Sequence, residues 1–114
     1  MTYWITVTGT KYRYGTEPFE PGQKLLLEKE PENEYDNEAI RVRAPGLGCI
    51  GYVANSPHTV LGECISAGRL YDKMGDTAVA HIKYRLPQGL VCRVKPVNRE
   101  KAPAQPNTED VVPF

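Results

Sequence analysis

QKLLLEKEPENEYDNEAIRV, residues 23–42, decides how the chain is read. Its first part, QKLLLEKE, is a short apolar run set off by Pro21 and Gly22, and it reads as a strand. PENEYDNE is too polar and too rich in turn formers for either periodicity, so it is a loop. AIRVRA follows at once, alternating Ile40 and Val42 inward with Arg41 and Arg43 outward. The loop region is acidic: Glu28, Glu30, Glu32, Glu34, Asp36 and Glu38 place six carboxylates within eleven residues, around a single aromatic, Tyr35. Most of these glutamates are expected to be solvated charge on a mobile loop.

On the N-terminal side, Tyr3, Ile5 and Val7 alternate with Trp4, Thr6 and Thr8, predicting an opening strand. Gly9 and Gly15 bracket TKYRY, a loop or irregular strand end. On the C-terminal side, PGLG turns into CIGYVA, another strand. A helix is predicted next, with Ser56 as N-cap, Pro57 in the first position, and Val60, Leu61, Cys64 and Ile65 on one face. Gly68 would stop it. DTAVAHIKYRL and LVCRVKPV then form a hairpin joined by PQG. With Leu86 and Leu90 flanking a three-residue turn, Tyr84 opposes Cys92 and Ile82 opposes Val94, giving an apolar face toward the core. Lys83 then meets Arg93, and His81 meets Lys95, on a basic face that includes Arg85. From Asn98 the chain is polar and Pro-rich, and reads as a flexible tail over 98–114.

At 114 residues with zero net charge, the chain suits one ordinary domain with one core. The balance is uneven: residues 1–38 carry 4 basic and 8 acidic side chains, and residues 39–101 carry 10 and 4. An anionic partner is drawn to the second portion and repelled from the acidic loop. No apolar run approaches the ~20 residues that span a bilayer, and MTYWITVTG lacks the features of a signal peptide. Cys49, Cys64 and Cys92 are odd in number and far apart, which suits free thiols and a cytoplasmic location. His58 and Cys64 lack zinc-ligand spacing, and no CxxC or HxxxH occurs, so no metal or cofactor is expected. No carboxylate pair is fixed around a nucleophile, so enzymatic activity is not expected either.

Several short strands, one helix and Gly-rich turns imply a mainly β, α+β domain, a small barrel or half-barrel. The motif order VTGTKYRYG, then L-E-x-E-P-x-N-x-Y-D-x-x-A-I-x-V over residues 27–42, then IGYVA, resembles the HIRAN domain. The resemblance spans residues 3–97, nearly all of a 1–97 domain. It implies an OB-like barrel of about six antiparallel strands with one or two helices. In eukaryotic members the domain is attached to a Swi/Snf-type translocase and grips the 3′-hydroxyl end of single-stranded DNA. No G-x-x-x-x-G-K-[ST] motif occurs here, so a helicase or nuclease partner would be a separate protein.

The resemblance implies a site made of Lys11, Tyr12, Arg13, Tyr14, Tyr35, Asp36 and Tyr52. Alternating cations and aromatics in TKYRYG suit phosphates and base faces. Arg13 stands where DNA-binding members usually carry an aromatic, with Tyr14 one place further on. Tyr52 stands where DNA binders can have His. Asp36 could accept a hydrogen bond from a free sugar hydroxyl and repel a terminal phosphate, or it could cap the turn. Tyr35 could stack on a base, or pack beneath the loop. The residue pattern itself, independent of the family, suggests a basic surface of Arg41, Arg43, Lys83, Arg85, Arg93 and Lys95; a charged strand edge guarding against aggregation is the other reading. The expected function is a nucleic-acid-binding module for single-stranded DNA or a 3′ end in DNA repair. The alternative is a protein-interaction barrel that takes a peptide. The balanced net charge counts against very tight DNA binding.

Overall fold

A computed structural model describes residues 2–95; the expected tail lies outside the described residues. Six strands run β1 (Tyr3–Thr8), β2 (Lys24–Lys29), β3 (Ile40–Ala44), β4 (Gly48–Val53), β5 (Thr77–Leu86) and β6 (Gly89–Val94). They close into an antiparallel barrel in the order β1-β4-β3-β2-β5-β6. Strand, loop and strand over residues 23–42 form as read: Leu27 pairs with Val42 and Glu28 with Arg41. Alternation then sorts the two sides, burying Ile5, Val7, Leu25, Leu27, Ile40, Val42, Ile50, Ile82, Leu90 and Cys92 inside. Burial pushes the Cys92 thiol up to about 12, so it behaves as a small core hydrophobe.

The helix differs from expectation. Ser56 does organise a turn: its hydroxyl accepts from the His58 amide and its carbonyl from the Thr59 and Val60 amides. The turn does not propagate. The Leu61 amide donates to the Thr6 hydroxyl rather than to a helical carbonyl, and Gly62 adopts φ +55°. Residues 54–65 instead run beside β1, with Ala54 donating to the Thr6 carbonyl and Ile65 to the Trp4 carbonyl. This covers Thr6, which is buried although it points away from the core. The actual helix, α1 (Ala67–Tyr71), is capped by the Ser66 hydroxyl accepting from Arg69. It adds Ala67 and Leu70 to the core, and Met74 follows.

The β5–β6 hairpin also departs from the expected register. Gly89 belongs to β6, so the turn is Pro87–Gln88 and Arg85 faces Leu90. A bulge between Ile82 and Tyr84 then shifts the pairing, so Ile82 faces Cys92 and His81 faces Arg93. A Cβ on Gly89 would run into the Val7 carbonyl, which is why the strand begins with glycine. The bulge also turns Tyr84 outward, against the expectation that it faced the core.

Candidate functional site

The loop between β2 and β3 is built around Asn33. Its side-chain oxygen accepts from the Tyr35 and Asp36 amides at 2.8 and 3.0 Å, and its side-chain nitrogen donates to Glu30 at 3.0 Å. Such an Asx-type turn holds the Tyr-Asp pair in one conformation without regular structure. Asp36 is fixed in turn. Its Oδ1 accepts from the Glu38 amide and its Oδ2 from the Asn55 side chain, both at 2.9 Å. Asn55 uses its oxygen to accept from the Gly68 amide at 2.8 Å, which ties the loop to α1. A Cβ at Gly68 would press on the Glu38 carboxylate and Asn55, so this glycine lets the helix meet the loop instead of ending the helix.

Tyr52 on β4 donates its hydroxyl to Glu30 at 2.9 Å. Burial first, and then that bond and the Glu30 charge, raise the phenol above its ordinary range. The hydroxyl is therefore engaged within the fold, and the ring is left to form a wall. Tyr35, Asp36, Tyr52, Asn33, Asn55 and Thr59 together line a cavity of about 540 Å³. Asp36 is thus both the turn's cap and part of that wall. Tyr35 does not pack beneath the loop; it is 92% exposed.

TKYRYG begins with a 3-10 turn, Thr10–Tyr12, packed on β4. Thr10 is buried, while Lys11, Tyr12 and Arg13 project outward. Tyr12 is 78% exposed, and the Lys11 ammonium lies 5.1 Å from its ring centre. Lys11 and Tyr12 line a second cavity of about 620 Å³ with Thr8, Gln88 and Thr59. Thr59 therefore lies on the walls of both cavities and makes them neighbours. Arg13 lies close enough to Tyr52 to act on its charge. Tyr14 points elsewhere, donating its hydroxyl to the Leu47 carbonyl at 3.3 Å.

The family model for the HIRAN domain matches residues 2–85. The chain belongs to the HIRAN domain family. Among solved structures, the HIRAN domain of human HLTF is similar at 16% identity, with a TM-score of 0.62 over 90% of this chain and 81% of that one. A protein from Lactobacillus plantarum is similar at 21% identity, with a TM-score of 0.51 over 83% of this chain and 97% of that one. Both likenesses are of fold. No curated protein matches the chain. The six-stranded barrel of this HIRAN domain is the one its motif order implies, and among the described residues no helix is long and apolar enough to cross a membrane.

The acidic run divides into two kinds of residue. Glu32 and Glu34 are exposed, as expected of loop charge, but Glu28 and Glu30 are half-buried and paired. Arg41 reaches Glu28 at 2.6 Å and Glu30 at 3.4 Å, and Arg43 reaches Glu28 at 3.1 Å. The two arginines therefore extend a neutralised cross-strand cluster, not a free basic surface. Arg85 is separate as well, donating to the Glu17 and Phe19 carbonyls. Asn33, Glu30, Asn55 and Thr59 were missed as site residues, although Asn33 and Glu30 sit inside the quoted motif.

Glu28 yields a pH prediction. Burial opposes its ionisation, but hydrogen bonds and charge from Arg41 and Arg43 outweigh it and hold the carboxyl below its ordinary range. A lowered folded-state value means that this stabilisation is complete above the unfolded value, near 4.5, and is lost as pH falls through the folded one. Urea midpoints measured downward from pH 5 should fall less steeply in Glu28→Gln than in the wild type, from a lower starting value.

Proposed function

We propose that this HIRAN domain binds nucleic acid, preferring a single strand with a free 3′-hydroxyl, in the paired cavities that meet at Thr59. That juxtaposition carries the reading: the Tyr-Asp loop and the Lys-Tyr-Arg turn are far apart in sequence, yet their cavities share a wall. Tyr12 and Tyr35 offer exposed aromatic faces on which bases stack, each worth ~1–3 kcal/mol. Lys11 and Arg13 supply charge for the phosphates. The Asp36 carboxylate keeps acceptor capacity beyond its two internal bonds, enough for a terminal sugar hydroxyl. A 3′-phosphate in its place would set like charges against each other. Action on DNA ends in repair would then need a motor or nuclease working alongside this domain.

Fluorescence anisotropy with 5′-labelled single strands tests this at low salt. The 3′-hydroxyl strand should bind at least about tenfold more tightly than its 3′-phosphate counterpart, as expected for ~1.4 kcal/mol. Affinity should fall as salt rises, and Tyr12→Ala should weaken binding by about 5- to 150-fold. Equal affinity for the two ends, or no binding to either, overturns the 3′-end reading.

A further inference from the structure

The outer face of β1, β6 and β5 carries an arrangement that the paired cavities do not use. Register places Trp4 beside Arg93, and Arg93 beside His81, in one row across three strands. Their chain neighbours Ile5, Cys92 and Ile82 are buried, so this row points outward. The bulge brings Tyr84 onto the same face, where its ring stacks on Trp4 at 6.3 Å between centres and 20° between planes. Trp4 is 36% and Tyr84 59% exposed, an unusual position for a large aromatic pair. Both line a groove of about 460 Å³ with Val91, Leu86 and the 61–64 loop.

The charge that β5 and β6 place on this face has one sign. Lys83, Arg93 and Lys95 make no ion pair among the described residues. Burial, and then the positive charges of Lys95, Arg93, Lys24 and Lys83, hold the His81 imidazole below its ordinary range, as expected of a residue set among cations. Protection of a strand edge does not explain the charge. β5 is paired on both sides, by β2 and β6, and β6 by β5 and β1, so a closed barrel has no edge here. Glu63 stands on the loop wall of the groove, so a phosphate chain here would be favoured on the β5–β6 side.

We propose that this face is a second binding surface for single-stranded nucleic acid, with a base against the Trp4–Tyr84 pair and the phosphate chain along Lys83, Arg93 and Lys95. Aromatic faces beside unpaired cations are what a single strand requires, and they accept any base. The surface does not depend on a strand end, and therefore does not depend on the paired cavities.

Trp4 is the only tryptophan in the chain, so its fluorescence reports this face alone. A circular single-stranded oligodeoxythymidine, which has no end to offer the Asp36 cavity, should quench it saturably. The log of affinity should fall against log salt with a slope near −2, about −0.7 for each of three phosphate contacts. Arg93→Gln with Lys95→Gln should cut affinity at least about tenfold, and Tyr84→Ala should do so independently should the charge variant fail to fold. Tyr12→Ala and Asp36→Ala should leave the quenching intact. Absence of quenching in the wild type overturns the proposal, as does quenching indifferent to salt and to both sets of variants. Loss of quenching in Asp36→Ala overturns an independent surface. Quenching by an acidic peptide such as polyglutamate, with none by the DNA circle, assigns the face to a protein instead and also overturns it.

Discussion

Phe19→Ala should be the most damaging single truncation outside the strands, lowering stability by about 3–5 kcal/mol. Phe19 sits in the loop between the 3-10 turn and β2, yet none of its surface is exposed. It belongs to the same core as Leu25, Ile82 and Leu90. Its other ties to the barrel are hydrogen bonds: Arg85 donates to the Glu17 and Phe19 carbonyls, Tyr14 to the Leu47 carbonyl and Gly22 to the Ile82 carbonyl, and the Ile82 amide donates to the Gln23 carbonyl. Removing the ring leaves a cavity that the barrel walls cannot collapse to fill, because each strand is hydrogen-bonded to two neighbours. Thermal unfolding followed by circular dichroism should show a drop of at least ~12 °C, at about 4–8 °C per kcal/mol for a domain of this size. Phe19→Leu should fall between the two proteins. Arg85→Ala, which removes the clip but keeps the plug, should cost much less.

Gly51→Ala should be nearly as severe, at about 2–3 kcal/mol, even though it adds a single methyl group. A Cβ at this position would sit 2.6 Å from the Thr8 carbonyl, 3.1 Å from a Val7 methyl and 3.4 Å from a Thr10 methyl. The first of these is backbone and cannot swing aside. Gly51 is therefore the point where β4 lets the end of β1 and the 3-10 turn approach closely, and a methyl there pushes Lys11 and Tyr12 away from the barrel. Loss of stability and loss of strand binding should appear together. Gly75→Ala is the control, since a Cβ there meets nothing within 4 Å. Its melting temperature should stay within a few degrees of the wild type.

The strands were legible because alternation is a local signal: each pair of Ile40 and Val42, or Ile5 and Val7, reports its own inward face. The long spacing from Leu27 to Val42 fixed the fold because it contains both strands and the loop that joins them. The helix was misplaced for a non-local reason. Ser56 and Pro57 satisfy every start rule, but the competing acceptor for Leu61 is a hydroxyl on Thr6, and nothing near Leu61 announces it. The hairpin register failed through one residue: Gly89 joined its strand instead of its turn, and a bulge then moved Tyr84 from the inside to the outside. That error concealed the Trp4–Tyr84 pair, which exists only in three dimensions. At the candidate site, Tyr35 and Asp36 could be named from the motif. Their scaffolding by Asn55 and Gly68, from the far side of β4, could not.

β6 pairs with β1 along five residues, from Tyr3 opposite Val94 to Val7 opposite Leu90. The first and last strands of the barrel are thus partners, and it cannot close until both have been synthesised. Folding must wait for nearly the whole domain to be synthesised, and the non-local closure makes it slow beside a helical bundle of equal length. The same pairing brings the two ends of the barrel out side by side, so a host chain could enter and leave the domain at one point without rearranging its own fold.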